Sequence, residues 1–375
     1  MSALLTPIGI ERPASIKFGA GLIAEVGAFV RAQGYTRPLI VADPFNAARV
    51  ELLELPGDPA VFGSVRAEPD IANLDALLAM AERIRPDVVI GFGGGSAMDL
   101  AKLAAVLPGS GQSIRDVVGP ERVNGRPTAL VQVPTTSGTG SEAGTRALIT
   151  DPTTQNKLAV QSRHMLADLA VVDPLLTLTV PADVTAATGV DALAHCVEAY
   201  TSRKAHPLID IYAIEGIRLV GRFLGRAVRD GGDREARAGL SLASLYGGFC
   251  LGPVNTTAGH AVAYPLGTRH HIPHGLACAL IFPHVLAFNA PAVRDKTANV
   301  LDALGLSADG DAAIAAAARA WCEALGIDMR LSRHGVPADD IETMAHEAHA
   351  IRRLLDNNPR DISPAEILAI YRAAL

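Results

Sequence analysis

Aromatic residues make up only 4% of this 375-residue chain, with a single tryptophan. Stacking platforms for sugars or bases are therefore not expected. Cysteine is scarce: Cys196, Cys250, Cys278 and Cys322 are scattered, with no CxxC pair. That argues against a disulfide framework or a zinc knuckle and fits a reducing cytoplasm. Basic residues never form a block, and the net charge is −6, so a nucleic-acid partner is not expected. A run of about 18 apolar residues, the length that spans a bilayer, is missing too, so no membrane partner is expected. The start, MSALLTPIGIERP, lacks the basic-then-apolar order of a secretion signal.

What is present is apolar: 49% hydrophobic and 19% charged, with 35 Gly and 24 Pro. Such a chain folds, and its length suggests two domains of roughly 150–200 residues each. Up to about residue 180, short buried strands alternate with helical patterns. Strands are expected at 14–18, 39–42, 60–62, 87–92 and 128–133, and helices at 22–33, 71–84 and 97–107. A hairpin is expected from 145–150 and 157–161. The stretch 108–127 is polar and rich in Gly and Pro, and reads as exposed loop. This alternation predicts a parallel sheet with helices on both faces. After Pro181 the strand signals stop. Helical patterns follow at 184–202, 207–225, 233–251, 274–291, 310–326 and 363–374. The expected organisation is an α/β nucleotide-binding domain over 1–180 and an all-α domain over 181–375.

Two loops read as anion cradles. Phe92-Gly93-Gly94-Gly95-Ser96 lies between a strand and a helix. Glycines there let backbone amides approach a pyrophosphate, and the helix directs its positive end at the same spot. A tight strand-to-helix turn would need glycine too. The second loop, Pro134-Thr135-Thr136-Ser137-Gly138-Thr139-Gly140-Ser141-Glu142, offers hydroxyls to phosphate or ribose, or a helix cap. Asp43 follows an early strand. Its carboxylate suits ribose hydroxyls and repels a 2′-phosphate, favouring NAD over NADP; Asp-Pro is equally a helix start.

The second half carries a set of metal-binding types. Asp191 and His195 are four apart, on one helix face and about 6 Å apart at Cβ. His260 and His274 are fourteen apart, which on one helix would separate them by roughly 21 Å. Pro265 and Pro273 forbid that helix, so the segment from Tyr264 to Pro273 is expected to be a loop returning His274 to His260. One carboxylate and three imidazoles suit Fe(II), Zn(II), Co(II) or Mn(II) and leave an open position. His164, His270, His271 and His284 compete for the same role.

Together these residues resemble the group III, iron-containing alcohol dehydrogenases, which share the dehydroquinate synthase-like fold. The resemblance covers nearly the whole chain and rests on four motifs in order: Gly93-Gly94-Gly95-Ser96-Ala97-Met98-Asp99, Pro134–Glu142, Ala187–His195 and Pro273-His274-Gly275. It implies Asp191, His195, His260 and His274 as ligands of Fe(II), sometimes replaced by Zn(II). It implies Gly94, Gly95, Ser96, Asp99, Thr135, Thr136 and Lys157 as cofactor-binding residues, and assigns Asp43 to NAD preference. It also implies a cleft between the domains and a homodimer. Many members carry a second histidine four residues after the third ligand; here that position is Tyr264.

The activity this predicts is reversible hydride transfer between NAD(H) and a small alcohol/aldehyde or ketone pair, with a proton leaving through solvent or through a relay involving Tyr264 or His270. Three rivals remain: a metal-free reductase resembling maleylacetate reductase, a lyase resembling dehydroquinate synthase, and a non-catalytic nucleotide-binding protein. The lyase would need cations near the metal for a phosphate-bearing substrate, and Arg269 is the main local candidate.

Overall fold

The computed structural model describes residues 3–154 and 156–375. Two compact units emerge. The first comprises Glu11–Thr136 and Gly140–Leu178. The second comprises Thr179–Leu375 together with Ser137–Thr139 and the described residues 3–10.

The first unit is built on six parallel strands: β1 (Ile16–Phe18), β2 (Pro38–Ala42), β3 (Ala60–Phe62), β4 (Val88–Gly93), β6 (Ala129–Pro134) and β9 (Leu169–Val172). A short strand, β5 (Gly119–Pro120), precedes β6, and the hairpin β7 (Arg146–Asp151) and β8 (Asn156–Gln161) follows it. The large sheet runs β1-β9-β6-β4-β2-β3, and a small one runs β5-β8-β7. Strands β2, β4, β6 and β9 are buried along nearly their whole length. Such strands read as continuous apolar runs because helices cover both faces. On one face α1 (Glu25–Gln33) supplies Val26 and Val30 to a cluster with Ile40, Ile90 and Val131. After the short α2 (Pro44–Ala47), α3 (Ile71–Ile84) and α4 (Gly95–Val106) build the other cluster with Leu39, Val89 and Leu130.

The register places three chain ends side by side. Ala42 pairs with Phe92, and Gly93 pairs with Pro134. The residues that follow β2, β4 and β6 therefore emerge at one edge, at the carboxyl ends of adjacent strands. Parallel sheets bind ligands there, where the chain switches direction across the sheet. Close contact between β4 and α4 fixes the spot. A Cβ on Gly91 would lie 2.3 Å from Gln132 Oε1 and 3.0 Å from the Ala101 methyl.

The stretch 108–127 differs from its expectation. It contains β5, and Ile114, Val117 and Val123 are buried in the α3/α4 cluster. Three apolar residues spaced among glycines and prolines leave no periodic signal, yet each fills the core.

The second unit is helical: α5 (Ala182–Thr201), α6 (Pro207–Arg229), α7 (Arg234–Leu251), α8 (Ala258–His270), α9 (His274–Asn289), α10 (Arg294–Leu304), α11 (Asp311–Ala324), α12 (Ile341–His349), α13 (Arg352–Leu355) and α14 (Pro364–Ala374). One core joins most of them. Among the described residues His274–Ala292 alone is long and apolar enough to cross a bilayer, and 61% of its apolar window is buried inside the unit. It is a core helix.

The segment from Tyr264 is not a loop, as the two prolines suggest, but helix to His270. Pro265 sits inside α8 and gives up one backbone hydrogen bond, a loss that usually breaks a helix. Here Pro265 and its neighbours are buried on all sides, and Tyr371 Oη donates to the Val262 carbonyl at 2.6 Å. Packing outweighs the local penalty. The reversal is compressed into His271-Ile272-Pro273. His271 takes a left-handed conformation (φ 55°) and its N–H closes on the Gly267 carbonyl at 3.1 Å.

We predict that Gly91→Ala destabilises the sheet unit by about 1–3 kcal/mol through overpacking. A lowered thermal midpoint, with weaker NADH binding in the same variant, is the expected result.

Candidate metal and cofactor sites

The glycine loop opens α4 without any side-chain cap: Gly94 is the N-cap and is extended. The Ala97 and Met98 amides close on the Gly94 carbonyl, so the Gly95 and Ser96 amides at the start of this 12-residue helix are the ones placed to meet an anion. Two polar groups crowd around the loop. A Cβ on Gly93 would lie 3.1 Å from Asp43 Oδ2, and one on Gly94 would lie 3.3 Å from Thr136 Oγ1. Side chains would fill this cradle; glycine keeps it open. Asp43 caps α2, accepting from the Phe45 and Asn46 amides at 3.0 Å each. Asn46 Nδ2 links Asp43 Oδ2 (2.6 Å) to Thr135 Oγ1 (3.2 Å). Carboxylate oxygens carry spare lone pairs, so capping leaves Asp43 able to accept from a ribose. Asp43, Gly93, Gly94, Thr135 and Thr136 are thus brought together, with Gly95 and Ser96 opening the helix beside them.

Asp99 and Lys157 are engaged elsewhere. Asp99 accepts from Ser141 Oγ at 2.6 Å and from the Leu148 amide at 2.9 Å. It ties α4 to the second loop and to β7. Lys157 Nζ is held by Glu68 and by Thr150 Oγ1. Beneath the second loop lies a buried polar group that the sequence did not reveal. Lys102 is fully buried, donating to Ser141 Oγ and to the Arg146 carbonyl at 2.7 Å each. Burial holds its pKa below the usual lysine range despite Asp99 and Glu142. Glu142, also buried, is pushed up to about 7 by desolvation, with Lys102 pulling the other way.

In the helical unit, α5 presents Asp191 and His195 one turn apart. His260 comes from the first turn of α8, and His274 is the first residue of α9. The four donor atoms all lie within 4.8 Å of one another. Asp191 Oδ1 is 3.7 Å from His195 Nε2, 3.5 Å from His260 Nε2 and 3.6 Å from His274 Nε2. Asp191 Oδ1 and His260 Nε2 are buried without any hydrogen-bond partner. A cation bound at about 2.1 Å by tetrahedral donors places them roughly 3.4 Å apart. The donor set therefore fits a divalent ion. The three inner ligands are sealed, while the His274 side chain keeps 24% of its surface, so the site opens on that side.

Asp191 and His195 are held in ligand-ready charge states, whereas His260 and His274 are raised towards the protonated form that a cation would have to displace. Burial would raise Asp191, but His195, His274 and His260 hold it well below the ordinary carboxylate range. Burial pushes His195 down to about 4, so it arrives as the neutral imidazole a metal needs. His260 is raised against burial by Cys278, Glu198 and Asp191. Protons and a cation thus compete for the cluster.

Glu198 is the residue that sequence reasoning missed. Its Oε1 is 2.6 Å from His260 Nδ1, and its Oε2 accepts from Thr257 N at 2.5 Å and from Thr257 Oγ1 at 3.0 Å. A Cβ on Gly259 would lie 2.6 Å from Glu198 Oε1; glycine lets this carboxylate reach the ring. The signal was available: residues 191, 195 and 198 share one helix face by their i, i+4, i+7 spacing.

The two proposed relay residues separate. Tyr264 is buried with its ring 6.0 Å from that of His274. Burial would raise its phenol, but Arg353, His260 and His274 hold it below the usual tyrosine value. His270 is ten residues beyond His260 on α8, about 15 Å along the axis, and it pairs with Asp340 at 2.8 Å. It is not brought to the cluster. Arg269 is also engaged, with Asp340 (2.6 and 2.8 Å) and Glu347 (2.9 Å), so it is not the free cation that a lyase would need. His164, His271 and His284 stay outside the cluster as well.

Glu142 gives a pH prediction. Its folded pKa lies above the unfolded value, so its effect is absent below about pH 4.5. Stability then falls as pH rises towards 7, by up to about 1.4 kcal/mol per unit. Denaturation of Glu142→Gln followed across this range should show a flatter profile and greater stability than the parent at pH 8.

Comparison with known proteins gives the same reading. Residues 13–174 match the family described as iron-containing alcohol dehydrogenase, and residues 185–375 match its C-terminal part. Long-chain-alcohol dehydrogenase 1 of Geobacillus thermodenitrificans is 35% identical, with 95% of this chain and 94% of that protein aligned. The NAD-dependent methanol dehydrogenase of Bacillus methanolicus is 31% identical over 97% of this chain and 98% of its own length. A crystal structure of 1,3-propanediol oxidoreductase superposes with a TM-score of 0.93 at 32% identity, covering 99% of this chain and all of the other. The chain belongs to the iron-containing alcohol dehydrogenase family.

Proposed function

We propose that the protein interconverts a small alcohol and its aldehyde or ketone with NAD(H), using a divalent metal, Fe(II) or alternatively Zn(II), held by Asp191, His195, His260 and His274. The observation that carries this reading is the convergence of these four donors, two of their atoms buried and unpartnered. A cation there supplies a Lewis acid that polarises a carbonyl or acidifies an alcohol, and NAD(H) supplies the hydride chemistry.

The chain's own residues do the rest. Backbone amides at Gly95 and Ser96, with Thr135 and Thr136, bind the cofactor's diphosphate. Asp43 accepts from the adenosine ribose and disfavours a 2′-phosphate, which selects NAD; the NAD-dependent relative supports this choice. Glu198 receives the Nδ1 proton of His260, fixing the tautomer that leaves Nε2 for the metal. Tyr264 Oη holds a proton beside the metal cluster, linked to Arg353 Nη2 at 3.3 Å, and serves as the exchange point with solvent. Four buried free cysteines fit a cytoplasmic enzyme, and the family resemblance supports a homodimer. The metal-free reductase is the rival that chelation separates.

Turnover of NADH with small aldehydes under anaerobic conditions should require added Fe(II), cease with chelator, and fall at least 100-fold in His260→Ala. Activity indifferent to both would instead support the metal-free reductase. For Glu198→Gln, metal titration should show affinity lowered 10- to 100-fold with the fold intact by circular dichroism; unchanged affinity would remove Glu198 from the site.

A further inference from the structure

Beside Tyr264 lies a cation to which the activity above assigns no substrate. Arg353 Nη2 donates to Tyr264 Oη at 3.3 Å, and its guanidinium carbon is 5.5 Å from the ring centre. Among the described residues no carboxylate pairs with it, whereas its neighbour Arg352 is bound by Asp356 and Arg269 by Asp340 and Glu347. Its side chain is exposed while Tyr264 is buried. The guanidinium therefore stands between solvent and the phenol that faces His274.

The position is built rather than incidental. Asn357 and Asn358, just beyond α13, are both buried. Asn357 Nδ2 donates to the Thr256 carbonyl at 3.2 Å and to the Arg353 carbonyl at 3.1 Å. Asn358 accepts from the Ala258 amide at 3.4 Å and exchanges two bonds with Asn289 at 2.8 and 3.0 Å. These bonds clamp the end of α13 to the start of α8, the helix that carries both His260 and Tyr264. An arginine held this way keeps most of its five N–H donors unused, in a planar fork that matches a carboxylate.

We propose that Arg353 is an anion-recognition residue of the substrate pocket, and that the preferred substrate is an aldehyde carrying a carboxylate or similar oxyanion on a short carbon chain. This rests on the metal-dependent reductase reading above. The aldehyde end goes to the metal cluster and the acid end to the guanidinium, past the Tyr264 ring. The acid group makes and breaks no bond in the hydride transfer. It supplies binding energy remote from the reacting carbon.

The test compares 4-oxobutanoate with butanal, matched in length and differing in charge, by kcat/KM with NADH in the Fe(II)-loaded protein. The expected ratio favours the anion roughly tenfold, the lower end for a charge-assisted contact at an exposed arginine. It should shrink with added salt. Arg353→Ala should bring it near unity, chiefly through KM, and Arg353→Lys should keep part of it. Calorimetry provides a readout apart from turnover: 4-hydroxybutyrate should bind more tightly than 1-butanol, and the difference should vanish in Arg353→Ala. Reduction of both aldehydes with equal kcat/KM, or equal losses in the variant, overturns the proposal and leaves the metal-dependent reading standing. Failure to reduce either aldehyde overturns both.

Discussion

A buried carboxylate cannot stay ionised and unpaired, and Asp191 is buried with its carboxyl held well below the ordinary range by three imidazoles. Its Oδ1 finds no hydrogen-bond donor, only three imidazole nitrogens at 3.5–3.7 Å. Removing a charge from water costs several kcal/mol unless an opposite charge replaces the lost solvation. The helical unit is arranged around that requirement. Helix α5 is buried nearly all round, α8 tolerates an interior proline, and three residues reverse the chain so that His274 begins α9 beside His260. A divalent ion held by Asp191, His195, His260 and His274 would complete the electrostatics that the protein leaves open.

Support for the ligands extends one layer outward. Glu198 lies on the same face of α5 as the ligands it serves. The Gly259 backbone, one residue before His260, leaves room for its carboxylate. The same helix thus supplies one anion for the metal and another for the ring that binds it. Near His274 stands Tyr264, whose phenol oxygen accepts from the exposed Arg353 guanidinium.

Much of this was legible in the chain. Buried strands and their glycine-rich exits follow from short apolar runs ended by Gly, Pro and Asp, and the register of β2, β4 and β6 explains why Asp43, the glycine loop and Thr135 belong together. The four metal-binding residue types were visible from spacing and motif. What escaped was set by packing across long sequence separations. Pro265 reads as a helix breaker because local rules outvote a core not yet seen. Lys102 and Glu142 look like surface charges until burial defines them, and Arg353 lies 89 residues from the phenol it touches. The internal contacts of Asp99 with Ser141 and Leu148, and of Lys157 with Glu68, likewise join residues far apart in the chain.

The most direct test of the account is an anomalous scattering map at the iron absorption edge from crystals of the anaerobically Fe(II)-loaded protein. The account predicts a single strong peak per chain, bonded by Asp191, His195, His260 and His274. Iron absent from that position, or bound at other side chains while the protein reduces aldehydes with NADH, would contradict it.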